Sequence, residues 1–219
     1  MTVRLNEGMS KRKQISTPTC PSPRSRSLRA RCSAPASLVA LGTAAAALTL
    51  AACGGDDGDG AAAEPPDFNA ALNGAPPKLA AIHEQENELL PGGPEAFDAR
   101  LRELRGFPIV VNKWASWCGP CRAEFPYFQS QAAQKGKKVA FLGVNSNDGE
   151  DSASEFLSEF PVPYPSYLDP DMKIADELEG ALAFPATAFY DSRGELVHVR
   201  NGPYSSGDEL AADIERYAQ

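Results

Sequence analysis

The segment at residues 117–121, Trp-Cys-Gly-Pro-Cys, constrains the fold and the chemistry of this chain more than any other. The apolar, β-branched run before it, at 107–114, predicts a strand buried on both faces, and a helical pattern begins directly after it. The two cysteines therefore lie where a strand turns into a helix. Unpaired N–H groups at a helix N-terminus stabilise a thiolate over a thiol. We expect Cys118 to be the nucleophile and Cys121 to be the resolving cysteine.

Charge is distributed unevenly along the chain. Residues 1–52 hold eight of the 21 basic residues and one of the 29 acidic residues. The rest of the chain has 13 basic and 28 acidic residues, a net charge of −15. Nucleic-acid phosphates and anionic lipid headgroups repel such a domain, so we expect no nucleic-acid partner.

The N-terminal residues have the features of an export signal. Residues 1–37 are basic and rich in Ser and Pro, and residues 38–52 form an uncharged apolar segment. This segment is shorter than the roughly 20 residues that span a membrane. The sequence Leu-Ala-Ala-Cys at 50–53 resembles the lipobox of bacterial lipoproteins. We expect a lipoprotein-type signal peptide at 1–52, lipidation of Cys53, and export to the outside of the cytoplasm with anchoring in the bacterial cell membrane.

The chain has five cysteines, and this processing would account for three of them. Cys20 and Cys32 would leave with the signal peptide, and Cys53 would carry the lipid. Cys118 and Cys121 then remain, outside the reducing cytosol, where thiol exchange with client proteins is useful. An ordinary signal peptide or an uncleaved anchor, with an incidental cysteine at 53, is the alternative.

Composition and periodicity divide the remainder into a tether and a domain. Gly, Asp, Ala and Pro dominate the first part of 53–76. This composition predicts a flexible tether over 53–76, and the domain is predicted to occupy 77–219. Apolar residues at helical spacing predict a helical extension at 77–105, and the core occupies 106–219. Besides the segments around the motif, the core is predicted to contain strands at 138–145, 186–190 and 195–200 and helices at 152–160, 171–179 and 206–217.

The order of these elements around the two cysteines resembles the thioredoxin fold. Residues 111–126, Val-Asn-Lys-Trp-Ala-Ser-Trp-Cys-Gly-Pro-Cys-Arg-Ala-Glu-Phe-Pro, are similar to the extracytoplasmic, membrane-tethered branch that contains TlpA and ResA. The resemblance covers about residues 105–217 and implies an α/β fold with a central mixed β-sheet flanked by helices. It also implies a thiol-disulfide oxidoreductase. Helices at 78–105 in place of the family's N-terminal strands would be a departure from it.

The resemblance implies roles for individual residues. Pro185 matches the family's cis proline, and Phe184 before it matches the position whose backbone pairs with a client strand. Asn112 stands where cytoplasmic thioredoxins carry a buried aspartate, which removes that residue as a proton acceptor. Glu124 matches the family's active-site glutamate, and we expect it to act on the Cys121 proton. A solvated helix glutamate and a trans proline at the start of a strand are the alternatives.

Two further residues flank the motif. Trp117 is expected to cover Cys118 and to contact clients, with simple packing as the alternative. Lys113 lies on the strand face opposite Asn112. There it either favours the thiolate electrostatically or extends its ammonium group to solvent as a structural lysine.

These features predict an enzyme that reduces client protein disulfides through the Cys118/Cys121 pair, with apocytochrome c thiols as one client class implied by the resemblance. A membrane electron donor of unknown identity would recharge the pair, and we expect a monomer without cofactor or metal. An oxidase of the same fold is the alternative, although Gly-Pro between the cysteines resembles reducing thioredoxins. An alternative of another class is copper or zinc binding by the cysteines together with His83 or His198.

Overall fold

The computed structural model describes residues 64–219. The predicted signal peptide, the lipidated Cys53 and most of the predicted tether lie outside the described residues. Inside them, helix α1 (Phe68–Leu72) occupies part of the predicted tether. Asp67 caps this helix by accepting a hydrogen bond from the Ala70 backbone N–H at 3.0 Å, and Leu72 is buried. The tether prediction is therefore wrong for 68–72, because a local cap and a buried leucine order these residues.

A mixed β-sheet of six strands forms the centre of the domain described at 64–219. The strands are β1 (Leu89–Leu90), β2 (Ile109–Trp114), β3 (Ala140–Ser146), β4 (Ser166–Asp169), β5 (Ala186–Tyr190) and β6 (Leu196–Asn201). Their order in the sheet is β1-β4-β3-β2-β5-β6. The first four strands in this order pair in parallel, and β5 and β6 pair antiparallel.

Helices flank this sheet. After α1 they are α2 (Pro77–His83), α3 (Gly93–Glu103), α4 (Gly119–Lys135), α5 (Glu150–Glu159), α6 (Lys173–Glu177) and α7 (Gly207–Tyr217). Helix α4 contacts α7, and α3 contacts α6. The arrangement is the predicted thioredoxin-like fold. No helix within the described part of the chain is long and apolar enough to cross a membrane.

The two central strands explain why the active-site motif is held firmly. Every residue of β2 and β3 is buried, as expected for parallel strands covered on both faces. Trp114, the last residue of β2, stacks on Phe156 and meets Phe125 edge to face, with ring centroids 4.9 and 5.3 Å away. Its indole N–H donates a hydrogen bond to the Ser166 hydroxyl at 3.1 Å. The strand that leads into the motif is therefore fixed against α4, α5 and β4.

The predicted helical extension at 77–105 is wrong in one part. Leu89 and Leu90 form strand β1, which pairs in parallel with Ser166 and Tyr167 of β4, while α2 already ends at His83. A pair of adjacent leucines fits a buried helix face and a short strand equally well, so sequence periodicity does not separate the two. The extension contributes an edge strand to the sheet and is part of the core.

Two smaller differences concern the second half of the domain. Helix α5 begins at Glu150 after Gly149, two residues before the predicted capping box at 152–155. Strand β4, with only four residues, was not predicted. Helix α7 starts as predicted, because the Ser206 hydroxyl accepts a hydrogen bond from the Glu209 backbone N–H at 3.2 Å.

Candidate active site

Cys118 and Cys121 are joined by a disulfide at the N-terminus of α4. Cys118 is the N-cap residue, and its Sγ accepts a hydrogen bond from the Cys121 backbone N–H at 3.1 Å. Cys118 is 3% exposed, and Cys121 is completely buried. Because a helix N–H points at the Cys118 sulfur, the same geometry stabilises a thiolate there when the disulfide is reduced. Cys118 is therefore suited to be the attacking sulfur.

The loop before Cys118 is held by Asp148, which follows strand β3. Asp148 accepts hydrogen bonds from the Ser116 backbone N–H and hydroxyl and from the Asn145 side chain, the last two at 2.8 and 2.9 Å. Burial raises the pKa of Asp148, but these bonds and one from the Gly149 backbone N–H outweigh it, so the net shift of the pKa is downward. Asp148 was not predicted as a site residue, because its only signal in the sequence is the Asn-Asp-Gly turn at 147–149.

Trp117 lies at the surface beside the disulfide. Its side chain is 56% exposed, and its indole N–H donates a hydrogen bond to the Asn147 carbonyl oxygen at 2.9 Å. Its ring packs against Phe184, with centroids 4.9 Å apart. The ring is thus held on two sides and still presents about half of its surface to solvent.

The Phe184–Pro185 peptide bond is cis, the configuration that the resemblance implies. Pro185 directly precedes β5, whose first residue, Ala186, pairs with Lys113 of β2. Strand β2 leads into the motif, and the Phe184 ring touches Trp117. The neighbours of the cis proline and of Cys118 are therefore in contact, through the Phe184 and Trp117 rings.

Glu124 is completely buried, so the alternative of a solvated helix glutamate is wrong. Its Oε2 accepts a hydrogen bond from the Tyr204 backbone N–H at 3.0 Å, and its Oε1 has no hydrogen-bond partner. Burial raises the pKa of Glu124 to about 7, although the Tyr204 bond and the charge of Arg200 act in the opposite direction. A carboxyl group one helical turn beyond Cys121 therefore changes its protonation near neutral pH.

Other buried polar side chains belong to the same region. Asn112 pairs with Thr187 across β2 and β5, and both side chains are buried. Burial raises the pKa of the Tyr164 hydroxyl, and the charge of Glu124 raises it further. Because the asparagine amide cannot ionise and the tyrosine stays protonated, Glu124 is the titrating member of this group.

Lys113 is also completely buried, which excludes an ammonium group extended to solvent. Its Nζ donates a hydrogen bond to the Ala181 carbonyl oxygen at 2.7 Å and lies 4.1 Å from the centroid of the Phe184 ring. Burial lowers the pKa of Lys113, and the charges of Asp169 and Asp176 partly oppose this shift. The ammonium group thus contacts the segment that precedes Pro185.

The two histidines do not complete a metal site. The ring nitrogens of His83 lie 3.1 Å from the carbonyl oxygens of Pro163 and Gly136, and His198 stacks on Tyr217 with centroids 3.9 Å apart. Among residues 64–219, no group of three or more His, Cys, Asp or Glu side chains is arranged to hold a metal ion. The geometry therefore gives no support to the metal-binding alternative.

Comparison with known proteins agrees with this geometry. The family model described as Redoxin matches residues 65–214. The chain is similar to the thiol-disulfide oxidoreductase ResA of Bacillus subtilis, with 30% identity over 47% of this chain and 57% of the relative. It is 39% identical to the thiol:disulfide interchange protein DsbE of Pseudomonas fluorescens over 52% of this chain and 64% of the relative. It is 36% identical to HelX of Rhodobacter capsulatus over 60% of this chain and 73% of that protein.

A solved structure of MTB dsbF is also similar, with 32% identity and a TM-score of 0.49 over 52% of this chain and 84% of that one. For ResA and DsbE, the matched region spans less than two thirds of the length of the relative.

Proposed function

Because the chain belongs to the Redoxin family, we propose that it is an extracytoplasmic thiol-disulfide oxidoreductase that reduces disulfides in client proteins. The observation that carries this proposal is the Cys118 sulfur at the N-terminus of α4, with the Cys121 N–H directed at it. The relatives with thiol-disulfide oxidoreductase or interchange names support it.

The proposed reaction transfers two electrons from the reduced cysteine pair to a client. The Cys118 thiolate attacks one sulfur of the client disulfide, so that this bond breaks, a mixed disulfide forms and the other client sulfur leaves as a thiolate. Cys121 then loses its proton, and its thiolate attacks the Cys118 Sγ. The mixed disulfide breaks, the client is released with two thiols after protonation, and the Cys118–Cys121 disulfide forms.

Glu124 is proposed to accept the proton of Cys121 in the second step. A base is most effective when its pKa lies near the working pH, and burial brings the pKa of Glu124 to about 7. Its unpartnered Oε1 leaves an acceptor oxygen free for this proton. Asn112 occupies the position that holds an ionisable aspartate in cytoplasmic thioredoxins, so the role is assigned to Glu124.

Trp117, Phe184 and Pro185 are proposed to form the client surface. A client strand would pair with the backbone that precedes the cis proline, while its side chains contact the exposed Trp117 ring. Apocytochrome c is one client class that fits, because its haem-binding thiols must stay reduced.

The location and partners of the protein are part of the same proposal. The basic and apolar N-terminal residues and the Leu-Ala-Ala-Cys sequence at 50–53 support export and lipid anchoring at Cys53. A membrane protein that donates electrons would return the Cys118–Cys121 disulfide to the dithiol form. The mature protein is proposed to work as a monomer.

Trapping of mixed disulfides tests the activity. In cells that export the protein, Cys121→Ser should accumulate mixed disulfides with clients through Cys118, and Cys118→Ser should not. In vitro, the reduced protein should reduce a peptide disulfide faster than the oxidised protein oxidises the corresponding dithiol. The opposite ratio would establish the oxidase, and the absence of both mixed disulfides and exchange would overturn the proposed function.

A further inference from the structure

A completely buried lysine in a central strand requires an explanation. Lys113 lies in β2 between Asn112 and Trp114, and each of its sheet neighbours, Val144 and Ala186, is apolar and buried. Removing an ammonium group from water is unfavourable unless its new contacts compensate, so an apolar residue would suit this position better for stability alone. The lysine therefore has a use that an apolar side chain does not provide.

The contacts of its ammonium group converge on one segment. Residues 178–185, here called the α6–β5 segment, connect the end of α6 to the start of β5 and contain no helix or strand. Lys113 Nζ donates its hydrogen bond to Ala181 in this segment and lies over the face of Phe184, a cation–π geometry. One charged group thus binds both the backbone and a side chain of the segment.

The α6–β5 segment forms one side of the active site. Leu182 is 89% exposed, and Phe184 packs against Trp117 directly before the cis peptide bond. On the other side, the Asn201 side chain donates to the Gly180 carbonyl oxygen at 2.6 Å and accepts from the Ala183 N–H at 2.9 Å. Because the segment lacks regular backbone hydrogen bonding, its shape depends on such side-chain contacts.

We propose that Lys113 is a positioning residue for client binding, which holds the Phe184 ring against Trp117 and fixes the backbone that precedes Pro185. This inference rests on the proposed function, since it concerns the surface on which a client strand docks. Lys113 acts through the α6–β5 segment. Its loss therefore weakens the binding of a peptide client and leaves the chemistry of the sulfurs intact.

The test compares Lys113→Met, which keeps an unbranched side chain without charge, with Lys137→Met, the same change at an exposed position between α4 and β3. Kinetics are measured on the full mature protein with a peptide disulfide and with hydroxyethyl disulfide, which is too small to reach the segment. Lys113→Met should raise KM for the peptide at least fivefold, with kcat and the rate on the small disulfide within twofold of native. Lys137→Met should leave all values unchanged.

A double substitution separates positioning from general damage to the fold. Phe184→Leu removes the ring that Lys113 holds, so it should raise KM by itself. Adding Lys113→Met to it should then raise KM by a smaller factor than in the native background, because the ring contact is already lost and only the Ala181 contact remains to be broken. The inference would be overturned if the two substitutions raised KM independently, so that their factors multiply. It would also be overturned by an unchanged KM in Lys113→Met or by equal losses of kcat on both disulfides. If Lys113→Met fails to fold, an unchanged KM in Phe184→Leu alone overturns it.

A spectroscopic measurement does not depend on activity. The chain has two tryptophans, so 5-fluorotryptophan labelling gives two ¹⁹F resonances, and Trp117→Phe assigns them. The Trp117 resonance should shift in Lys113→Met and stay in place in Lys137→Met. If the native protein exchanges no disulfide, the proposed function fails, and this shift still decides whether Lys113 positions the Phe184–Trp117 pair. A Trp117 resonance that is unmoved by Lys113→Met would overturn the inference.

Discussion

The Glu124 carboxylate accepts a hydrogen bond from the Tyr204 backbone N–H at 3.0 Å, which connects the active-site helix α4 to the loop that precedes α7. This bond satisfies one carboxylate oxygen, while Oε1 is buried without a partner. The bond lowers the pKa of Glu124, but burial dominates and raises it to about 7. Ionisation of this carboxyl group therefore destabilises the folded protein relative to the unfolded protein.

The stability of the disulfide form should consequently depend on pH through Glu124. The folded-state pKa of about 7 exceeds the ordinary value of 4.5, so between these values the folded state binds more protons than the unfolded state. The free energy of unfolding should fall by about 3 kcal/mol as the pH rises through this window. Glu124→Gln should lack this loss, so its stability relative to native should increase between pH 5 and pH 8 in urea denaturation.

The exposed Glu155 of α5 provides the matched control, because Glu155→Gln replaces a carboxylate with an amide on a side chain that is in contact with water. Its stability difference from native is the baseline against which the change of Glu124→Gln between the two pH values is measured. If Glu124→Gln behaves in the same way as this control, the carboxyl group does not titrate in the folded protein as described.

Glu124 should also control the second chemical step. In single-turnover experiments that start from the mixed disulfide, Glu124→Gln should slow the release of the client by Cys121 about 100-fold at pH 7, the usual size of an acid–base contribution. Alkylation of Cys118 in the reduced protein should change by no more than about threefold, because helix N–H groups rather than Glu124 stabilise that thiolate. Equal losses in both measurements would show that the substitution disturbs the whole site.

The sequence was sufficient to locate the redox motif and the fold around it. Strand β2, the helix that follows and the cap at Ser206 are local patterns, and the predicted thioredoxin-like fold is confirmed. Strands β1 and β4 were not predicted, because two- and four-residue strands carry too little periodicity and are defined by partners far away in the chain.

The chemical environment of the site was less accessible from the sequence. General rules place lysine and glutamate at the surface, whereas Lys113 and Glu124 are completely buried. Asp148 was missed because its partner, Ser116, lies 32 residues away, and no local pattern indicates that contact. Burial and long-range hydrogen bonds arise from tertiary packing, so they can be identified only in the three-dimensional structure.

Asp148 should be sensitive to the smallest change of its side chain. All of its hydrogen-bond partners, in Ser116, Asn145 and Gly149, are donors. The NH2 group of an amide in its place would face some of these donors and could not accept their hydrogen bonds. Asp148→Asn should therefore lower the free energy of unfolding at pH 7 by about 1–3 kcal/mol although it preserves the shape. Asp151→Asn, at an exposed position in the first turn of α5, should change it by less than about 1 kcal/mol, because it loses only the interaction of a charge with the helix N-terminus.

The pH dependence of this effect has a defined sign. The pKa of Asp148 is lowered in the folded protein, so its contribution to stability is present above the ordinary value of 3.8 and is lost as the pH falls through the folded-state value. Asp148→Asn and native should therefore approach each other in stability at strongly acidic pH. A constant difference from pH 7 to the acid limit would show that the charge is irrelevant to the loop.

Lys113 should affect how the free energy of unfolding depends on pH at alkaline pH. Burial lowers its pKa below the ordinary 10.5, against the charges of Asp169 and Asp176, so the unfolded state holds the proton more tightly than the folded state. Between the two pKa values the unfolded protein binds more protons, and the free energy of unfolding rises with pH. In Lys113→Met this rise should be absent, while Lys137→Met should keep it. A rise in Lys113→Met equal to that of native would show that the buried ammonium group is no less stable in the folded protein than in water. Lys113 would then not lower the stability of the folded protein.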